Sequence, residues 1–201
     1  MKAPLGVILA GGLATRMGGC DKGMLKIGEQ TLLGRVIDRL SPQVAGLALN
    51  ANGDPVRFAS LHLPIIPDSI DGYAGPLAGV LAGLDWAAAQ GAETIVTAAA
   101  DTPFFPCDLV PRLQLEGEGM TCPLVLAATR DDERIARHPT FGLWPVALRD
   151  DLRKALDGGL RKVVLWTDEH HGRAAVFPTD GFDPFFNVNT PDDLARAEAL
   201  I

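Results

Sequence analysis

The sequence predicts a three-layer α/β/α domain on a mostly parallel, Rossmann-like sheet, and three observations lead there. Short β-type runs alternate with stretches at helical spacing along the whole chain. Runs such as "VILA" and "TIVTAAA" are apolar without alternation, as expected of parallel strands buried on both faces. The 201 residues, 47% hydrophobic and 21% charged, suit one domain over residues 1–201 with a sizeable core. In a doubly wound sheet, ligands sit beyond the C-terminal strand ends, so functional residues are sought where strands stop.

Taken in order, the first strand is expected at Leu5–Leu9, followed by a glycine-rich segment. In "TLLGRVIDRL", Leu32, Leu33, Val36, Ile37 and Leu40 share one helical face. Strands at Ala45–Leu49 and Pro64–Ile66 precede "GPLAGVLAGLDWAAAQG", where Leu77, Leu81, Leu84 and Ala88 form a second apolar face and Gly91 a stop. Strands follow at Thr94–Ala98 and Leu124–Ala128, with weaker ones at Thr140–Leu143, Ala174–Phe177 and Phe185–Val188. The region 130–180 is expected to form a lobe over the site. In the final "NTPDDLARAEALI", Thr190 is an N-cap, Pro191 opens the helix, and two aspartates complement its dipole.

The net charge of −7 disfavours nucleic acid and anionic membranes as partners, so any phosphate must be caught by a local cluster. Cys20, Cys107 and Cys122 are widely spaced and odd in number, which argues against a disulfide framework or zinc site and for a reducing cytoplasm. The apolar stretch at the N-terminus is broken by glycines too early for a signal peptide, and no run approaches membrane-spanning length.

The segment "LAGGLATRMGGCDKGML", Leu9 to Leu25, holds five glycines with Arg16 and Lys22. Glycines let backbone N–H groups approach a ligand closely, and the two cations suit phosphate oxygens. Neither a G-x-G-x-x-G fingerprint nor a P-loop is present, so an ordinary turn with solvated cations remains open. Asp101 ends the apolar run Thr94–Ala100 ahead of a Thr-Pro turn, where it either meets a ligand or caps the turn. Asn50 closes the second strand and offers a donor and an acceptor to a base edge, with a turn role in "NANGD" as its rival. Asn187 and Asn189, two apart at the end of the expected last strand, would share a face if the extended chain continues. His170 and His171 in "DEHHG" read as an exposed turn rather than a metal site.

Six segments in this order resemble the molybdenum cofactor guanylyltransferases of the nucleotidyltransferase superfamily. They are "LAGGLATRMGGCDKGML", "LALNAN", "PDSIDGYAGPLAG", "AADTPFFPCDL", "RHPTFGLW" and "FNVNTPDDL", and they span nearly the whole chain. The resemblance implies a sheet of the nucleotide-diphospho-sugar transferase type, with a GTP-binding half over residues 1–105 and a pterin-side half over 106–201. It implies transfer of GMP from GTP to molybdopterin or its molybdenum form, giving molybdopterin guanine dinucleotide and pyrophosphate, with Mg²⁺ as cofactor.

The same resemblance distributes the roles. Leu9, Ala10, Gly11 and Gly12 would contact guanosine; Arg16 and Lys22 would hold the triphosphate; Asn50 would touch the nucleotide. Asp68 would accept from guanine, with Asp71 as competitor, and Gly75, Pro76 and Leu77 would launch a helix beneath the base. Asp101 would bind Mg²⁺. His138, Arg161, Asn187 and Asn189 would serve the pterin side. Cofactor-insertion enzymes and acceptor molybdoenzymes or their chaperones are implied partners. Two rivals are a cytidylyltransferase using CTP, which usually has "AAG" where this chain has "AGG", and a noncatalytic nucleotide- or cofactor-binding protein. A smaller residue at Gly11 leaves room for the larger base and favours guanine.

Overall fold

A computed structural model describes residues 2–11, 22–70, 75–131, 134–179 and 181–201. Seven strands form one sheet: β1 (Leu5–Leu9), β4 (Leu47–Asn50), β5 (Ile65–Ile66), β6 (Thr94–Ala99), β7 (Val125–Asp131), β8 (Arg134–Pro145) and β9 (Arg173–Phe177). Their order is β5-β4-β1-β6-β8-β7-β9, and β8 alone among them runs antiparallel to its neighbours. A two-stranded hairpin, β2 (Lys26–Ile27) with β3 (Gln30–Thr31), lies apart.

The helices are α1 (Leu32–Leu40), α2 (Pro76–Ala89), α3 (Leu109–Glu116), α4 (Arg149–Asp157), α5 (Val163–Glu169) and α6 (Pro191–Glu198). Alternation along the strands explains three layers. Ile8, Val96 and Ala98 pack on one face with Leu33, Val36 and Leu40 of α1 and Leu109 and Leu113 of α3. Val7 and Ile95 pack on the other with α2, Leu152 of α4 and Trp166 of α5. Thr97 is fully buried among them because its hydroxyl accepts a 2.8 Å bond from the Trp144 indole.

Thr31 caps α1 by accepting from the Gly34 N–H at 3.0 Å, so the helix starts where its apolar face begins. At α6, Thr190 and Asp193 form a reciprocal capping box with Pro191 in the first turn. Register sets the site. Leu9 is paired with Asn50 on one side and Ala99 on the other, so β1, β4 and β6 stop level with one another. Chain order reverses across β1 as well, with β4 on one side and β6 on the other, and that is where ligands bind in open α/β sheets.

Two expectations need correction. Phe185–Val188 is not a strand: it has no ladder partner, and it is held by a 2.9 Å bond from the Val188 N–H to the Asp101 carbonyl and by Phe185 packing on Phe141 and Phe177. The region 130–180 contributes β8 and β9 to the same sheet rather than a lobe over the site. Its long strand was read too short because Pro139 interrupts it. The missing N–H is tolerated because pairing jumps there, from Gly142 opposite Leu126 to His138 opposite Ala127. No helix among the described residues is long and apolar enough to cross a membrane.

Candidate functional site

The level ends of β1, β4 and β6 open into a cavity of about 320 Å³, within the range of small-molecule sites. Leu9, Ala10, Gly11, Lys22, Asn50, Asp68, Gly75, Pro76 and Asp101 of the expected residues line it, joined by apolar Leu33 and Phe58. Leu77 does not: its side chain is fully buried in the core cluster that also holds Val7 and Ile95. Gly12, Arg16 and Asp71 lie outside the described residues.

One wall is a hydrogen-bonded cluster. Asn50, buried at the end of β4, donates to Asp68 Oδ1 at 2.9 Å and to the Ile66 carbonyl at 3.1 Å. Asn52 donates to Asp68 Oδ2 at 2.8 Å, and its amide oxygen accepts from the Asp68 N–H at 2.9 Å. Both carboxylate oxygens of Asp68 are therefore fixed by amides while each keeps lone pairs for a ligand. A Cβ at Gly79 would lie 2.3 Å from Asn50 Oδ1 and 2.9 Å from Leu9 Cδ2, so this helix position admits only glycine while Asn50 stays in place. A Cβ at Gly11 would come within 3.2 Å of Asn50 Oδ1 and 3.9 Å of Asp68 Oδ1. Its absence leaves the amide–carboxylate wall open.

The opposite wall carries charge. Lys22 Nζ donates to Asn189 Oδ1 at 2.8 Å, and the Asn189 backbone N–H is held by Asp193 at 3.1 Å. The capping box of α6 thus positions Asn189 and, through it, the lysine. Donors from the α6 cap, led by the Thr190 hydrogen-bond network, hold the Asp193 carboxyl below its ordinary value. Asp101 stands just past β6. Burial raises its carboxyl above the ordinary carboxylate value, and the Lys22 charge offsets only part of that. The Thr102 hydroxyl lies between Asp101 Oδ1, at 3.4 Å, and the Asn187 amide oxygen, to which it donates. Asn187 and Asn189 are therefore at the site although no strand carries them.

Asp101 is a poorly compensated carboxylate at a cavity edge, and a cation beside it would relieve its desolvation. Among the described residues no group of three His, Cys, Asp or Glu could hold a metal. Asp101 is thus a lone carboxylate on this wall among the described residues, and Mg²⁺ is a cation that binds through one or two carboxylates and completes its shell with phosphates and waters.

The remaining pterin-side candidates are elsewhere. His138 stacks on Phe185 with ring centroids 4.3 Å apart, and its Nε2 lies 3.0 Å from the Thr129 hydroxyl. Burial lowers its pKa, with Asp183 opposing, which favours neutral imidazole. Two residues on, Thr140 reaches the cavity wall. Arg161 donates to the Leu156 and Leu160 carbonyls at 2.9 and 2.7 Å, closing the end of α4. It lines a separate polar cavity that shares Asp68 with the first. His170 is partly buried against Trp166, with its Nε2 2.7 Å from Asp151 Oδ1.

Residues 6–173 match the MobA-like NTP transferase domain. The chain belongs to this family. A molybdenum cofactor guanylyltransferase of Rhodopseudomonas palustris is 51% identical over 197 residues, 96% of this chain and 92% of that protein. The molybdopterin-guanine dinucleotide biosynthesis protein A of Archaeoglobus fulgidus superposes with a TM-score of 0.70 at 26% identity, covering 98% of this chain and 97% of that one. A CMP:2-keto-3-deoxy-manno-octonic acid synthetase shares the fold alone, with a TM-score of 0.76 at 14% identity over 99% and 98% of the two chains. This MobA-like chain is a nucleotidyltransferase, and its sheet is of the type those enzymes share.

Proposed function

We propose that the chain transfers GMP from GTP to the terminal phosphate of molybdopterin or its molybdenum form, releasing pyrophosphate and yielding molybdopterin guanine dinucleotide. The observation that carries this reading is the pairing, in one cavity, of a fixed carboxylate on one wall with a lysine and a buried acid on the other. Asp68 offers two oriented oxygens to guanine N1–H and N2–H₂, a donor pair that cytosine lacks. Leu9, Ala10 and Gly11 lie along the nucleoside, with Gly75 and Pro76 beneath the base.

The acceptor phosphate oxygen attacks the α-phosphorus in line; the new P–O bond forms as the bond to pyrophosphate breaks. The attacking oxygen is already anionic, so no general base is needed, and catalysis rests on positioning and charge stabilisation. Lys22, held by Asn189, meets the triphosphate and stabilises the departing pyrophosphate, with Arg16 from the glycine-rich segment assigned the same task. Asp101 would hold Mg²⁺, which supplies neutralisation of phosphate charge. Asn187 and Asn189 border the phosphates, while His138 and Arg161 are assigned to the pterin side.

Relatives named as molybdenum cofactor guanylyltransferases support the substrate pair. Pyrophosphate release with molybdopterin as acceptor tests it: GTP should be strongly preferred over CTP. A preference for CTP would reverse the base assignment, and GTP binding with no pyrophosphate release would mean a noncatalytic binder.

A further inference from the structure

We infer that Asn52, which the sequence patterns do not single out, is a positioning residue that sets base selectivity by clamping Asp68; this rests on Asp68 being the guanine acceptor. Asn52 sits two residues past Asn50, just beyond the end of β4, and both amides meet the same carboxylate. Its two bonds are reciprocal. The amide N–H donates to Asp68 Oδ2 at 2.8 Å, and the amide oxygen accepts from the Asp68 backbone N–H at 2.9 Å. Side chain and backbone of Asp68 are thereby fixed together. Asn50 restrains only the other oxygen, so without Asn52 the carboxyl plane would be free to turn about its Cβ–Cγ bond. Asn52 is itself anchored, since its carbonyl accepts from Arg57 Nη2 at 2.5 Å at the start of the turn that follows.

A plane held in this way presents both carboxylate oxygens edge-on, which two parallel N–H donors on one base edge require. Inosine triphosphate, which lacks the N2 amino group, offers only one of them. A rotated Asp68 would still find one donor, so loss of Asn52 should erode the preference for GTP more than it harms the inosine nucleotide.

The experiment is a double-mutant cycle on Asn52→Ala and Asp68→Ala, with KM and kcat measured for GTP and inosine triphosphate. Asn52→Ala should raise KM for GTP about tenfold, as expected for a lost hydrogen bond to a charged group, with kcat within about twofold and a smaller rise for inosine triphosphate. In the Asp68→Ala background the same change should add almost nothing. Asn52→Asp keeps the acceptor for the Asp68 N–H but sets charge against charge, so it should raise KM for GTP further than Asn52→Ala does and melt lower as pH rises above the carboxylate range. Equal, additive effects in both backgrounds would overturn the clamp while leaving Asp68 as the guanine acceptor. An Asp68→Ala enzyme with unchanged KM and selectivity would overturn the guanine reading itself, and the clamp with it.

Discussion

The two halves of the molecule are built differently around the same sheet. On the nucleotide side, β1, β4 and β6 end level, and the groups beyond them are tied to one another: Asn50 and Asn52 to Asp68, Lys22 to Asn189, Val188 to Asp101. On the other side, β7, β8 and β9 pack against an aromatic cluster in which Phe185 touches His138, Phe141 and Phe177. The difference sets a wall of fixed dipoles, suited under the proposed function to distinguishing a base and steering a triphosphate, against core packing, since Phe141, Phe177 and Phe185 are all buried.

If that contrast is right, the largest effect belongs to Asp101. Asp101→Asn should lower kcat for pyrophosphate release by about 10²–10³-fold, the scale seen when one charge-stabilising group is lost. It should not cost stability. Burial raises the pKa of this carboxyl in the folded state, so the folded protein holds the proton more tightly than the unfolded chain. The fold is therefore penalised above the folded pKa and relieved as pH falls toward the unfolded value. In metal-free buffer Asp101→Asn should melt above wild type at neutral pH, with the gap closing under acid conditions.

Gly79→Ala comes next. In an exposed helix interior that change stabilises by about 1 kcal/mol. Here the new methyl meets Asn50 Oδ1 at 2.3 Å, so a loss of about 1–3 kcal/mol in unfolding free energy is expected, with KM for GTP raised about tenfold. A more stable variant with normal KM would break the claim that the nucleotide wall is rigid.

The smallest effect tests the other half. His138→Ala should raise KM for the acceptor several-fold, on the order of one lost stacking contact, and leave KM for GTP unchanged. Burial depresses the His138 pKa, so its contribution to stability is intact above the unfolded value near 6.5 and is lost as pH falls through the folded one. His138→Gln should flatten that acid limb in a pH series of melting temperatures.

Much of the nucleotide half is legible in sequence because its logic is local: a buried apolar run, a glycine pair, an acid at a strand end. Leu5–Leu9, the Thr190 cap and Asp101 at its strand end follow from such patterns, whereas the expected roles of Asn50 and Asp68 rest on the family resemblance. Asn52 escaped because "NANGD" has the composition of a turn; the i, i+2 spacing that joins it to Asn50 was the available signal. Leu77 is expected at the site, yet its side chain is fully buried in the core cluster with Val7 and Ile95, a burial that its neighbours in sequence do not reveal. The Phe185–Val188 segment is apolar enough to suggest a strand, and Phe185 packs on Phe177 of the edge strand β9, yet its backbone pairs with none of the strands. Pairing partners are a property of the assembled sheet.

The most direct measurement is a crystal structure of the protein with GTP and Mg²⁺. Guanine should lie with its N1 and N2 donors on Asp68, the triphosphate on Lys22, and the metal on the Asp101 carboxylate. A base turned away from the Asn50–Asp68–Asn52 wall, or a metal bound without Asp101, would contradict the division of labour between the two halves.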